Sequence, residues 1–155
     1  MRKIPLGTTD RLITDYCLGT MTWGTHTPEA EAHRQMDMAL DAGITIVDTA
    51  EMYPVNPVTP ETVGLTETVL GNWNAANPGR RGAYLLATKI TGKNAAFVRQ
   101  GQDITPETFT AALDASLARL KTDMIDIYQL HWPNRGSYHF RQNWGFNPAA
   151  QNRAA

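Results

Sequence analysis

The sequence lacks the features of several classes of protein. It has one cysteine, Cys17, so an internal disulfide cannot form and nothing points to an oxidising compartment. It has no run of Lys and Arg, and its formal net charge of -1 argues against binding to nucleic acid or to an anionic membrane. No stretch approaches the ~20 apolar residues of a membrane span, and the start MRKIPLGTTDR has no apolar core of a signal peptide. These absences predict a soluble, cytoplasmic protein with small, roughly neutral partners.

The composition that remains is that of an ordinary globular domain. The 155 residues are 42% hydrophobic and 19% charged. This length and balance are enough for one domain with a core of its own. The composition also excludes a disordered chain.

Short apolar runs alternate along the chain with segments of helical periodicity. Residues 2–14 predict a small β-hairpin around a Gly-Thr-Thr-Asp turn. Four later apolar runs predict short strands, and the residues at their ends are Gly19 with Thr20, Asp48, Lys89 and His131.

Three helices are predicted between these four strands. The first begins with Thr27 as N-cap and Pro28 at the first position, and it stops near Gly43. Apolar residues between 65 and 73 mark the second helix, and the third has the clearest start, at Thr105. Connections of this size imply right-handed crossovers, so the four strands are expected to form a parallel sheet.

The strand ends carry an acid, a base and an imidazole at a regular spacing. Lys89 follows Asp48 by 41 positions, and His131 follows Lys89 by 42. Because the carboxyl ends of parallel strands lie at one edge of a sheet, these three side chains should converge there, where α/β proteins keep their active sites. Taken singly, each has a plainer explanation as a cap, a solvated terminus or a packed rim residue. The combination favours a functional site.

Together with Tyr53, in the stretch IVDTAEMYP, these residues suit proton delivery to an oxyanion. A tyrosine hydroxyl can supply the proton, but its ordinary pKa of about 10 makes it a reluctant acid near neutral pH. The Lys89 ammonium is expected to lower that pKa, and Asp48 to hold the ammonium in place. His131 is expected to donate to the carbonyl oxygen of a substrate and to orient it.

Four stretches carry a resemblance to a known family. GTMTWG, AGITIVDTAEMYP, ATKI and LKTDMIDIYQLHWP resemble successive strand-end signatures of the aldo-keto reductases, in the bacterial branch near the shaker-channel β subunits. The resemblance covers residues 1 to about 134. It implies an α/β fold, the first half of a (β/α)8 TIM barrel after an N-terminal β-hairpin. It also implies NADPH-dependent reduction of aldehydes and ketones to alcohols, with Tyr53 as proton donor and Asp48, Lys89 and His131 as its partners.

The same resemblance implies binding roles for further residues. The expected contacts of NADPH, with NADH as the alternative cofactor, are Gly19, Thr20, Met21 and Asp48. The expected walls of the pocket for a small carbonyl substrate are Trp23, His131 and Trp132. Packing at the rim of the barrel is the alternative for both tryptophans.

The length departs from the family pattern, because a barrel of this type needs about 250 residues. Residues 1–134 are interpreted as the N-terminal half barrel, and residues 135–155 as the polar, aromatic loop after the fourth strand, cut short. The resemblance implies that the second half of the barrel binds the adenosine and phosphates of NADPH. The 155 residues alone are therefore expected to be weakly active or inactive, and to self-associate through open sheet edges. A natural half-length product is the alternative to a truncated chain.

Other functions compete with the reductase. A lyase using Lys89 as a Schiff-base nucleophile is disfavoured, because a nearby carboxylate keeps the amine charged. A metal hydrolase is disfavoured because the four histidines, His26, His33, His131 and His139, show no ligand spacing. The serious alternative is a non-catalytic remnant, or a nucleotide-binding or regulatory module of the same fold. Nucleotide affinity would separate this alternative from the enzyme.

Overall fold

The computed structural model describes residues 1–93 and 96–134, so the loop predicted for residues 135–155 lies outside the described residues. In chain order, the strands and helices are β1 (Lys3–Pro5), β2 (Leu12–Thr14), β3 (Leu18–Gly19), α1 (Glu29–Asp41), β4 (Ile46–Asp48), α2 (Leu65–Ala76), β5 (Leu85–Ile90), α3 (Pro106–Leu120) and β6 (Ile127–Leu130). Two short 3₁₀ turns lie at Arg81–Ala83 and Arg99–Gly101. No helix among the described residues is long and apolar enough to cross a membrane.

The N-terminal hairpin forms as predicted, with β1 and β2 antiparallel. The turn between them is closed by the Thr9 hydroxyl, which donates to the carbonyl of Leu6 at 2.7 Å. At the other end of β2, Thr14 and Thr45 exchange two hydrogen bonds, each backbone N–H donating to the other's hydroxyl oxygen, at 3.3 and 3.1 Å. Thr45 directly precedes β4. The hairpin therefore lies against the N-terminal end of the parallel sheet.

The other four strands form one parallel sheet in the predicted order β3-β4-β5-β6. Gly19 pairs with Asp48, Asp48 with Ala87, and Ala87 with Ile127, so these four residues share one level of the sheet. Side chains alternate between the two faces of a strand. Lys89, two residues after Ala87, therefore points to the same face as Asp48, nearer the carboxyl ends of the strands.

The opposite face of the sheet packs against the three helices and forms the core. The fully buried apolar side chains of this core come from α1, α2, α3, the sheet and one turn, and the largest are Trp23, Met36, Val47, Leu70, Trp73, Leu86 and Leu120. Burying a large apolar side chain contributes roughly 1.5–3 kcal/mol. This layer fixes the outer side of the sheet and leaves the inner face for polar groups.

The start of α1 differs from its prediction. The helix begins at Glu29, and Pro28 occupies the cap position with no side-chain hydrogen bond. The predicted cap, Thr27, is engaged in the preceding turn: its backbone N–H donates to the carbonyl of Thr22 at 3.1 Å, and the two hydroxyl oxygens lie 3.2 Å apart. The hydroxyl oxygen that would cap the helix is therefore used within the turn. In contrast, Thr105 caps α3 as predicted.

Helices α2 and α3 approach each other closely at Gly71. A Cβ atom at this position would lie 1.9 Å from the carbonyl oxygen of Arg119 and 2.9 Å from the carbonyl carbon of Leu120. One turn later, the Asn74 side-chain amide donates to the carbonyl of Leu120 at 2.9 Å. A residue without a side chain at 71 is thus required for the two helix backbones to meet.

Candidate active site

An ion pair between Asp48 and Lys89 lies at the carboxyl edge of the sheet. The Lys89 ammonium donates to the Asp48 carboxylate at 2.6 Å and to the carbonyl oxygen of Thr49 at 2.7 Å. The lysine side chain is 12% exposed and the aspartate 30%. The ion pair is therefore partly desolvated, and the attraction between its charges is stronger than at an open surface.

Thr20 holds the backbone of Asp48 from the neighbouring strand. Its backbone N–H and its hydroxyl both donate to the Asp48 carbonyl, at 3.1 and 2.9 Å. The Thr20 side chain is fully buried. The hydroxyl and the N–H of Thr20 thus anchor the backbone of Asp48, and contact of Thr20 with a cofactor remains a prediction.

Tyr53 lies beside this ion pair on the loop that leaves β4. Its carbonyl accepts hydrogen bonds from the N–H groups of Gly64 and Thr66, at 3.1 and 3.4 Å, so the start of α2 holds the loop. The Lys89 ammonium lies 5.0 Å from the centre of the tyrosine ring. The ring of His131 meets it edge-on, with centres 5.7 Å apart. The structure therefore brings all four predicted catalytic side chains together.

The pKa of Tyr53 moves in the direction opposite to the sequence-based expectation. Burial raises the pKa of its hydroxyl above the ordinary value of 10, and the negative charge of Asp48 raises it further. The Lys89 ammonium is bound to Asp48 and to the Thr49 carbonyl. The prediction of a lowered pKa for the Tyr53 hydroxyl is therefore wrong. Tyr53 keeps its proton at neutral pH.

His131 is the first residue after β6, and its backbone N–H donates to the carbonyl of Ile90 at 2.9 Å. Burial, and then the positive charge of Lys89, lower the pKa of its imidazole from 6.5 to about 4. The ring is therefore neutral at physiological pH. A neutral imidazole carries one N–H donor and one acceptor nitrogen, so it can orient a carbonyl oxygen without adding a charge.

This lowered pKa predicts a loss of stability in acid. Between pH 6.5 and about 4, the His131 of the unfolded chain binds a proton that the folded chain does not, so the free energy of unfolding falls as the pH falls. We expect His131 to account for about 2 kcal/mol of this loss, after allowing for its partial exposure. The free energy of unfolding is measured with urea near neutral pH and near pH ~4.5. Between these two pH values, His131→Asn should lose less stability than the unchanged chain. Equal losses would contradict the prediction.

A cleft of about 510 Å³ opens beside Tyr53 and His131. Its walls are mostly apolar, and the lining residues are Met21, Met52, Tyr53, Val55, Asn56, Val58, His131 and Trp132. An apolar cleft with a few convergent polar groups is typical of a small-molecule site. Here both predicted hydrogen-bond donors, Tyr53 and His131, are among the polar groups.

Trp132 forms one wall of this cleft, as predicted. It is 8% exposed, and its indole N–H donates to the carbonyl of Lys93 at 2.9 Å. A Cβ atom at Gly92 would lie 2.2 Å from the Trp132 ring and 2.5 Å from its carbonyl oxygen. Gly92 therefore leaves the space that the indole occupies.

Trp23 has a different position from the one predicted. It is 1% exposed and packs in the core between the sheet and the helices. Its indole N–H donates to the side chain of Gln35 on α1 at 2.9 Å. The prediction that Trp23 contacts substrate is corrected to core packing, because the turn after β3 directs this side chain towards α1.

The strand-end turn from Gly19 to Met21 has room for a flat ligand. A Cβ atom built at Gly19 would meet no described atom within 4 Å, although the residue pairs directly with Asp48. The Met21 side chain is 49% exposed and reaches the cleft. These features fit the nicotinamide end of a dinucleotide, since its ring could approach the Gly19 backbone closely.

Four lining residues escaped the sequence-based prediction: Met52, Val55, Asn56 and Val58. All of them lie on the proline-rich loop between β4 and α2. Loops that leave the carboxyl ends of parallel strands build the sites of α/β proteins. The position of this loop, directly around a candidate acid, was a signal that could have identified them.

Comparison with known sequences gives one consistent result. A family model described as Aldo/keto reductase family matches residues 16–146. The chain is 48% identical to Protein tas of Escherichia coli strain K12 over 121 residues, which are 76% of this chain and 34% of that protein. It is 37% identical to the uncharacterized oxidoreductase YrpG of Bacillus subtilis strain 168 over 138 residues, 84% of this chain and 40% of that protein.

A solved structure matches the described fold as well. The aldo-keto reductase AKR11C1 from Bacillus halodurans, in its holo form, is 36% identical and superposes with a TM-score of 0.67, over 84% of this chain and 40% of that one. The predicted fold class, the first half of a TIM barrel after a hairpin, is confirmed. The chain spans between 34% and 40% of the length of these three relatives.

Proposed function

The chain belongs to the aldo/keto reductase family, and we propose that it carries the catalytic residues of an NADPH-dependent oxidoreductase that reduces aldehydes and ketones to alcohols. The observation that carries this proposal is the 2.6 Å ion pair of Lys89 and Asp48, set beside Tyr53 and His131 at the mouth of an apolar cleft. We further propose a cytoplasmic location and a small carbonyl compound as partner.

Tyr53 is proposed as the general acid. Its raised pKa keeps the hydroxyl protonated until a strong base appears nearby. The carbonyl oxygen of a substrate becomes such a base when its carbon is reduced, and Tyr53 Oη then gives it a proton. His131, neutral because of its lowered pKa, is proposed to donate an N–H to the same oxygen and so to fix its place.

Lys89 and Asp48 are proposed to support this transfer. Once Tyr53 has lost its proton, the phenolate is a negative charge near the Lys89 ammonium, which lies 5.0 Å from the ring centre. The attraction is stronger for the phenolate than for the phenol, so it favours the later stage of the reaction. Asp48 keeps the ammonium charged and in place, and Thr20 keeps Asp48 in place.

The residues of the strand-end turn fit the proposed cofactor. NADPH, when bound, supplies the hydride. Its nicotinamide end is proposed to contact Gly19, Thr20, Met21 and Asp48. Trp132 and His131 are proposed to contact the substrate, and the apolar walls of the cleft favour aryl or branched-alkyl carbonyl compounds over heavily hydroxylated ones.

The test uses two proteins: the 155-residue chain, and a chimera in which residues 1–134 replace the matching segment of Protein tas. We expect the chimera to bind NADPH and to reduce 4-nitrobenzaldehyde, because it combines this site with a complete barrel. The chain alone should bind NADPH weakly and turn over little. NADPH fluorescence and absorbance measure binding and turnover.

One outcome of this experiment would contradict the proposal, and another would contradict the expected weakness of the isolated chain. A folded chimera that binds NADPH without reducing a range of aldehydes would favour the non-catalytic module. Steady turnover by the chain alone, as a monodisperse monomer, would show that these residues suffice and that the expected weakness of the isolated chain is wrong.

A further inference from the structure

Glu51 stands between the two catalytic positions Asp48 and Tyr53, and the proposed mechanism gives it no role. It follows β4 by three residues and is only 4% exposed. A carboxylate is rarely buried unless hydrogen bonds and an opposite charge compensate it. The partners of Glu51 therefore indicate what it does.

Both the backbone and the side chain of Glu51 bind the end of β5. Its N–H donates to the carbonyl of Lys89 at 3.1 Å. Its carboxylate accepts a hydrogen bond from the N–H of Thr91 at 2.8 Å. Glu51 thus holds the residues on both sides of Ile90, directly where the catalytic lysine leaves the strand.

Lys89 makes the reciprocal connection. Its side chain crosses from β5 to the end of β4 and binds Asp48 and the carbonyl of Thr49. The acid after β4 therefore reaches the end of β5, while the base on β5 reaches the end of β4. Two oppositely charged side chains tie the same pair of strand ends together.

Arg99 completes the arrangement around Glu51. Its guanidinium donates to the Glu51 carboxylate and to the carbonyl of Thr91. It does so from a left-handed backbone conformation, with φ of 44°. A buried carboxylate that is paired and hydrogen-bonded on both oxygens holds one orientation, which suits a tether.

We propose that Glu51 is a positioning residue for the catalytic pair: by fixing the end of β5 to the segment that carries Tyr53, it keeps the Lys89 ammonium beside the tyrosine ring. The catalytic purpose of this positioning rests on the proposed function. The position of Lys89 itself can be measured without any turnover.

The chain contains a matched control. Glu67 is also fully buried and paired with an arginine, since its carboxylate accepts from Arg119 at 2.7 Å and from the Thr88 hydroxyl at 2.6 Å. It binds the side chain of Thr88 in the middle of β5, not the backbone around Lys89. Removing the Glu67–Arg119 pair should disturb the core as much as removing the Glu51–Arg99 pair does. It should not release the end of β5.

The experiment measures the titration of His131 by NMR in the 155-residue chain, with His131→Asn to assign its signal. The positive charge of Lys89 contributes to the low pKa of His131, so a displaced ammonium lets that pKa rise. The double variant E51M/R99M replaces the ion pair by apolar side chains of similar length, a change that buried pairs often tolerate. We expect the His131 midpoint to rise by about half a pH unit or more, and E67M/R119M to leave it unchanged.

Two further variants keep the test decisive if E51M/R99M does not fold. Glu51→Asp keeps the charge for Arg99 but is one methylene too short to reach Thr91, so the His131 midpoint should rise. The double variant E51Q/R99M keeps an acceptor oxygen for the Thr91 N–H without leaving the arginine charge unpaired, so it should keep the original midpoint. In the chimera, Glu51→Asp should lower kcat about tenfold with an unchanged KM, because small displacements of catalytic groups are costly.

The proposal is overturned if folded Glu51→Asp and E51M/R99M proteins titrate like the unchanged chain. It is equally overturned if E67M/R119M produces the same rise, since the effect would then be general loosening of the core. A failure of the proposed function appears elsewhere, as a chimera without reductase activity whose His131 still responds to Glu51.

Discussion

Tyr53→Phe in the chimera is expected to lower the kcat of carbonyl reduction by roughly 10²-fold or more, the usual contribution of a general acid. The substitution removes only the hydroxyl. The ring remains, so it can still pack against His131 in the same T-shaped arrangement and face the Lys89 ammonium. The loss should therefore appear in turnover, with the free energy of unfolding and the affinity for NADPH little changed.

Tyr16→Phe is the matched control for this experiment, because Tyr16 is 66% exposed and lies before the first strand of the parallel sheet. It should reduce 4-nitrobenzaldehyde at the original rate. Steady-state kinetics of both variants distinguish the loss of the catalytic hydroxyl from the loss of an exposed tyrosine hydroxyl. A loss of only twofold in Tyr53→Phe would show that another group delivers the proton, and His131 would be the first to examine.

Gly71→Ala is expected to destabilise the fold by about 2 kcal/mol or more. The new methyl group would lie 1.9 Å from the carbonyl oxygen of Arg119, and backbone atoms cannot move aside as a flexible side chain does. Overpacking of this kind typically costs 1–3 kcal/mol or more, against a gain of about 1 kcal/mol from the better helix propensity of alanine. Urea unfolding measures the difference.

Gly79→Ala provides the control for the glycine substitution. Around a Cβ atom built at Gly79, the part of the chain that the structure describes places nothing within 4 Å. This substitution should leave stability unchanged, or raise it slightly by restricting the unfolded chain. If Gly71→Ala were as stable as Gly79→Ala, helices α2 and α3 could not be packed as closely as described.

The strand ends were predictable from the sequence because local signals mark them. Each apolar run ends in a polar residue, and the parallel register follows once helices separate the strands. The convergence of Asp48, Lys89 and His131 needed no knowledge of side-chain contacts. The cap of α3 was predictable for a similar reason, since Thr105 and Pro106 act within one turn of the helix.

The buried ion pairs were not predictable, because their partners are far apart in the chain. Glu51 and Arg99 are separated by 48 positions, and Glu67 and Arg119 by 52. No periodicity connects them. The direction of Trp23 was missed for a related reason: a tryptophan in a turn can face the core or the cleft, and only the packing of α1 decides between them.

The pKa of Tyr53 shows the limit of reasoning from neighbours alone. The sequence identified Lys89 as a nearby cation, but the effect of a charge depends on what else binds it and on how much water remains. In the folded chain, burial and the charge of Asp48 raise the pKa of Tyr53. This balance depends on distances and exposure, which no linear pattern contains.

The walls of the cleft and the ion pair proposed to support proton transfer come from different parts of the chain. The loop between β4 and α2 supplies Met52, Val55 and Val58 to the cleft, whereas Asp48 and Lys89 stand on strands that are locked in register. Deleting one residue of β5 before Lys89 would turn Lys89 to the opposite face, but a change of length in the loop between residues 54 and 64 would leave that register intact. The lining of the cleft can therefore diverge among descendants of this sequence while the ion pair proposed to support proton transfer is inherited unchanged.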